Sequence, residues 1–247
     1  MLIKLKLLLL WMASVCLANA QTSIFQVVST PNFFPSGNDA LNAVSASSPS
    51  DIWAVGQSTI HFDGTVWTAV SAPHLTGMNE NALLGVADLS PTNAWAVGYT
   101  ITPNSTQLLE HWDGTEWSDF PGPKLPEGSS TYLSSISADS PTEIWAAGHI
   151  LQDDQRQLVG LIEHFDGTSW KAMEIPTTPF LNAIAAISSD DVWVAGYSGE
   201  TGENSKTFLA HWNGTEWTQV TTPNVGTGAN AINGLAALDT NNVWAVG

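Results

Sequence analysis

Two short motifs recur along this chain, and together with their spacing they predict an all-β fold, a β-propeller of four-stranded blades. The first motif is Asp51-Ile52-Trp53-Ala54-Val55-Gly56, which returns at 93–98, 143–148, 191–196 and 242–247. The second is His-aromatic-Asp/Asn-Gly-Thr-x-Trp, found at 61–67, 111–117, 164–170 and 211–217. Trp53, Trp95, Trp145, Trp193 and Trp244 of the first motif stand 42, 50, 48 and 51 positions apart, which leaves room for four short strands per repeat. This gives four complete repeats with partial ones at both ends, at about 36–73, 81–123, 132–176, 180–223 and 230–247.

Residues 1–20 read as a signal peptide: Lys4 and Lys6, the apolar run Leu7 to Leu17, then Ala18-Asn19-Ala20 as a small-x-small cleavage site. An exported mature chain beginning at Gln21 is expected, either secreted or periplasmic. Bulky Val15 before Cys16 argues against a lipid anchor. No later stretch approaches ~20 continuous apolar residues, so no membrane insertion is expected. Cys16 is the only cysteine and leaves with the leader, so packing and not disulfides must stabilise the fold. The formal net charge of −17 becomes more negative once Lys4 and Lys6 are removed. Such a chain has almost no Lys or Arg with which to displace phosphate counterions, so nucleic acid is not an expected partner.

Gln26 to Asn32 matches Gln219 to Asn224, the fourth strand of a later repeat, as though the chain began by completing a blade begun at its other end. In the first full repeat the strands read as Leu41 to Ala46, Ile52 to Gly56, Thr59 to Phe62 and Thr65 to Val70. The first-strand columns Ala43, Gly85, Ser135, Ala183, Gly234 and Ser45, Ala87, Ser137, Ala185, Ala236 hold only small side chains, as an innermost strand requires where blades converge. The second strand is apolar on both faces, which suits a sheet covered on both sides. Ser-Pro-x-Asp/Asn/Glu turns separate these two strands, and an Asp-Gly or Asn-Gly turn closes the last hairpin. A two-residue Asp-Gly loop would place Trp112 opposite Thr115, Glu110 opposite Trp117 and His111 opposite Glu116. Eleven of the 12 tryptophans fall in these elements, so Trp53, Trp95, Trp145, Trp193, Trp244, Trp67, Trp117, Trp170 and Trp217 read as structural. The fifth repeat stops at Gly247 before a third strand, which predicts a longer parent of six to eight blades, seven being the expected number.

The Trp-Ala-Val-Gly and Asp-Gly-Thr-x-Trp pattern resembles kelch-like blades, closest to secreted bacterial repeat propellers, over about residues 26–247. Kelch blades carry two glycines where this chain has Val55-Gly56, Val97-Gly98 or Ala147-Gly148. The second motif also resembles the Asp-box of sialidase-type propellers, but Arg156 is the only arginine, too few to clamp a substrate carboxylate. A copper-radical oxidase would need a cysteine that the mature chain lacks. No Ser-His-Asp, His-Glu-x-x-His or phosphate-loop pattern occurs.

The recurring His61, His111, His164 and His211 are better read as structural, bonded to backbone or to a cross-strand carboxylate such as Glu116 or Glu216, than as metal ligands. No cofactor is expected. Calcium is the alternative left open by the oxygen-rich turns Ser189-Asp190-Asp191 and Asp239 to Asn242, which lack the spacing of a known calcium loop. The second-to-third connections differ between repeats and lie on the rim opposite the repeated turns. Variable loops on a rigid scaffold are the usual binding surface. Candidate ligand contacts there are Tyr99, His149, Asp153, Asp154, Arg156, Tyr197, Glu200 and Glu203. The expected function is a non-catalytic exported scaffold that binds a protein or a glycan. The alternative is a carbohydrate-active hydrolase or lyase whose catalytic residues lie in further blades.

Overall fold

A small residue in every first strand lets successive sheets approach closely, and the structure, a computed structural model, is built on that approach. It describes residues 40–73, 75, 81–101, 105–152, 157–173, 175, 177, 179–199 and 204–247. The expected signal peptide, Cys16 and the Gln26 to Asn32 match lie outside the described residues. All described residues belong to one compact unit, Pro31–Gly247. They contain strands and turns, and no helix long and apolar enough to cross a membrane.

Blade 1 comprises β1 (Leu41–Ser48), β2 (Asp51–Gly56), β3 (Thr59–Phe62) and β4 (Trp67–Ala69); blade 2 comprises β5 (Ala82–Ser90), β6 (Asn93–Thr100), β7 (Thr106–Trp112) and β8 (Trp117–Asp119). Blade 3 follows as β9 (Ser129–Ser140), β10 (Glu143–Gln152), β11 (Gln157–Phe165) and β12 (Trp170–Met173), and blade 4 as β13 (Phe180–Ser188), β14 (Asp191–Ser198), β15 (Lys206–Trp212) and β16 (Trp217–Gln219). Two further strands, β17 (Gly234–Asp239) and β18 (Asn242–Val246), start a fifth. Each four-stranded sheet is an antiparallel meander in chain order.

First strands lie against first strands, β1 on β5, β5 on β9, β9 on β13 and β13 on β17. A methyl group on Gly85 would come within 3.1 Å of Ile136 in the next blade. The serines of the small columns bridge the seams: Ser45 Oγ accepts from the Asp88 amide at 3.0 Å, and Ser137 Oγ accepts from the Ala186 amide at 2.9 Å.

Farther out, the second-strand Trp of blades 1 to 3 inserts into the last hairpin of the next blade. Trp53 meets Trp112 and Trp117 at 4.9 and 5.0 Å, Trp95 meets Phe165 and Trp170 at 4.8 and 5.6 Å, and Trp145 meets Trp212 and Trp217 at 6.1 Å each. These contacts anchor the apolar clusters between blades. Trp53, Trp95, Trp145, Trp117, Trp170 and Trp217 are buried, Trp67 and Trp193 half-buried, and Trp244 exposed.

The closing hairpin departs from the expected register. Trp112 pairs with Trp117, His111 with Ser118 and Glu110 with Asp119, two residues away from the pairing a two-residue loop would give. The cause is the Asp113 side chain: its Oδ1 accepts from the Thr115 amide, the Thr115 hydroxyl and the Glu116 amide at 2.8, 2.6 and 3.0 Å. This opens the turn to residues 113–116, with Gly114 at φ 97°. The same geometry starts β4 at Trp67 instead of Thr65.

Candidate ligand-binding rim

The repeated turns gather on one rim. The hairpin glycines pack on the first-to-second turns, so that a methyl group on Gly114 would stand 2.8 Å from the Thr92 side chain and one on Gly214 would stand 2.8 Å from Asp190. The Trp112 and Trp212 indoles donate to the Pro91 and Ser189 carbonyls at 3.1 Å.

The histidines are tied to this rim. Each ring lies on the second-strand Trp of its own blade, with centroids 4.1 to 4.5 Å apart. Each Nε2 meets the first residue of the second strand: Asp51 for His61 at 2.7 Å, Asn93 for His111 at 3.0 Å, Glu143 for His164 at 2.7 Å and Asp191 for His211 at 2.8 Å. Glu116 and Glu216 are not the partners, because the wider loop moves them out of register. His111, whose partner is a neutral amide, is held below the usual imidazole range, mainly by burial. Hydrogen bonds from Thr115 and the backbone hold the exposed Asp113 carboxyl down at about 2. Asn213 makes the same three bonds without a charge, at 3.0, 2.7 and 3.0 Å.

Among the described residues, no group of three or more His, Cys, Asp or Glu side chains is placed to hold a metal ion. The side-chain oxygens of the two oxygen-rich turns are taken up by the protein itself, and Thr240 of the second turn bonds Asp191 of the first. Ser188 Oγ donates to Asp190 Oδ1 at 2.6 Å, and the Asn241 amide donates to Asp239 Oδ1 at 2.9 Å.

Toward the opposite rim, each second strand carries the motif glycine, and the reason is a close approach. A methyl group on Gly148 would sit 1.9 Å from the carbonyl oxygen of Tyr132; on Gly98 it would sit 2.0 Å from that of Ala82, and on Gly196, 1.8 Å from that of Phe180. The residues framing each glycine, one step past it and one step before the facing Leu, are therefore held side by side. In blades 2 to 4 they form a continuous row of rings. Tyr99 meets Tyr132 at 5.1 Å, Tyr132 stacks on His149 at 4.9 Å, His149 stacks on Phe180 at 4.0 Å, and Phe180 stacks on Tyr197 at 4.9 Å. Two of these contacts lie within a blade, where Tyr132 pairs with His149 and Phe180 with Tyr197. The other two cross the seams from β6 to β9 and from β10 to β13.

All five rings are half-buried. Burial depresses the His149 imidazole to about 4, so it is neutral at physiological pH, and its Nδ1 is enclosed without a hydrogen-bond partner among the described residues. Burial also raises the Tyr197 phenol. The row is braced from below: the Tyr132 hydroxyl donates to Ser105 Oγ at 2.6 Å, the Thr131 amide donates to the Ser105 carbonyl at 2.9 Å, and the Gln107 amide donates to Thr131 Oγ1 at 2.9 Å.

Of the sequence-derived contacts, Tyr99, His149 and Tyr197 come together in this row. Asp153, Asp154, Arg156, Glu200 and Glu203 lie outside the described residues. Tyr132 and Phe180 were missed because they precede the recurring motifs. Their signal was present in the column Ala40, Ala82, Tyr132, Phe180, Ala231, where two aromatics interrupt a run of alanines.

No protein-family model matches the chain, and no curated protein matches it. Among solved structures it is similar to YCF48 bound to D1 peptide, at 15% identity and a TM-score of 0.51, covering 85% of this chain and 62% of that one. It is also similar to YCF48 from Cyanidioschyzon merolae, at 17% identity and a TM-score of 0.51, covering 83% of this chain and 63% of that one. The chain thus spans somewhat under two thirds of the length of these structures. At such identities the likeness establishes the fold, a β-propeller.

Proposed function

We propose that this is an exported, non-catalytic binding propeller whose ligand sits on the rim carrying the ring row. The observation that carries this reading is the confinement of the rings to blades 2 to 4. At the same register the other positions are Ala40, Gln57, Ala82 and Ala231, so the blade itself does not call for aromatics there. Half-buried rings on a rigid scaffold supply contact area at little entropic cost, which is why aromatics concentrate in binding sites. YCF48 supports the reading only as a propeller that is seen with a peptide.

The test compares two variants on peptide and glycan arrays. One replaces two of the five rings by the residues blades 1 and 2 already use, Tyr99→Gln with Tyr132→Ala. The other alters the opposite rim, Asp113→Asn. Loss of array binding in the first and retention in the second is expected. Equal binding by both variants would remove the ring row from the site.

A further inference from the structure

Taking the binding reading as its basis, we propose that the ring row accepts an extended peptide that is apolar and net positive, and not a glycan. The first argument is the orientation of the rings. From Tyr132 to Tyr197, successive planes lie within 12° to 27° of one another at 4.0 to 4.9 Å, so each ring covers its neighbour's face. A pyranose needs an open aromatic face on which to lay its C–H groups, and the interior rings of this row have none to offer. What they present is a line of ring edges. Ring edges carry the positive part of the aromatic quadrupole, which suits the carbonyl oxygens of a peptide backbone, and the apolar strip they form together suits aliphatic or proline side chains.

The second argument is length. Four centroid steps of 4.0 to 5.1 Å make a track shorter than about 20 Å, the span of about six extended residues at about 3.3 Å each. The third is charge. With 23 acidic residues against 6 basic ones, the field of the chain repels an acidic partner and draws in a basic one. The row has little charge of its own, since its one imidazole is neutral, so the attraction is long-ranged and sensitive to salt.

The experiment is a fluorescence-anisotropy titration of the protein with two pools of 12-residue peptides of equal Pro, Val and Leu content. One pool carries Lys and Arg, the other Asp and Glu, and a panel of neutral oligosaccharides serves as competitor. The basic pool is expected to bind at least tenfold more tightly than the acidic pool and to weaken in 0.5 M salt. Tyr132→Ala is expected to weaken it at least tenfold. Should Tyr132→Ala fail to fold, Tyr99→Gln carries the same expectation. Tighter binding of the acidic pool, or competition by the oligosaccharides that disappears in Tyr99→Gln, overturns the ligand class and leaves the binding rim standing. Binding that no ring substitution changes overturns both.

Discussion

Asp113 and Asn213 occupy the same place in two hairpins and make the same three hydrogen bonds, so on the turn rim one blade substitutes for another. The opposite rim follows no such rule. Beside the facing Leu stands alanine at 40 and 82 but Tyr132 and Phe180 in blades 3 and 4, although every blade there shares the glycine and the carbonyl that leans over it. The turn rim repeats because each of its side chains satisfies a backbone group or fills a seam that every blade has. The ring rim varies because, beyond its glycine, the blade asks nothing of it.

That contrast can be broken most forcefully through the seams. Trp145→Ala leaves a cavity against Trp212 and Trp217 in a fully packed gap, and a loss of about 3 to 5 kcal/mol in chemical unfolding is expected. A loss comparable to that of an exposed Trp would mean the seams are not what holds the blades together.

Glu163 lies between the rims, wholly buried where blades 1 and 4 carry Ile60 and Ala210. Burial raises its carboxyl from 4.5 to about 8, and the nearby Gln107 side chain offsets only part of this. Between pH 4.5 and 8 the folded protein therefore keeps a proton that the unfolded chain releases, and stability falls as pH rises. Glu163→Gln should remove a fall on the order of 5 kcal/mol across that window. Unfolding free energies of protein and variant that run parallel from pH 5 to 8 would refute the assignment.

Gly148→Ala forces a methyl group onto the Tyr132 carbonyl and should cost about 1 to 3 kcal/mol. Because the same carbonyl belongs to a ring residue, it should also weaken binding, which separates it from Trp145→Ala in a partially destabilised but folded state. The smallest effect is expected on the turn rim. Asp113→Asn should leave the unfolding midpoint at pH 7 unchanged. Below pH 4 the two proteins diverge: the contribution of the ionised Asp113 is present above 3.8 and is lost as pH falls toward about 2, whereas the variant has no such loss.

The blade was legible because its requirements are local and repeated. The Trp spacing, the small first-strand columns and the Asp-Gly turns each follow from one constraint met once per blade. The hairpin register departs from that of an Asp-Gly two-residue loop for a physical reason: Asp113 and its equivalents act as acceptors for three donors, so the turn widens from two residues to four, and the histidines find partners at Asp51, Asn93, Glu143 and Asp191. Three of the five rings were legible too, since Tyr99, His149 and Tyr197 follow the motif glycine directly. Tyr132 and Phe180 escaped because what joins them to the others is a cross-strand and cross-blade approach, which no single stretch of sequence displays.

The central claim is that the ligand lies on the ring row and not on the repeated turns. Hydrogen exchange of the protein with and without the tightest peptide of the basic pool tests it most directly. The claim predicts new protection at 99–101, 129–133, 149–152, 180–182 and 197–198, with residues 113–116 and 213–216 unchanged. Protection confined to those turns would contradict it.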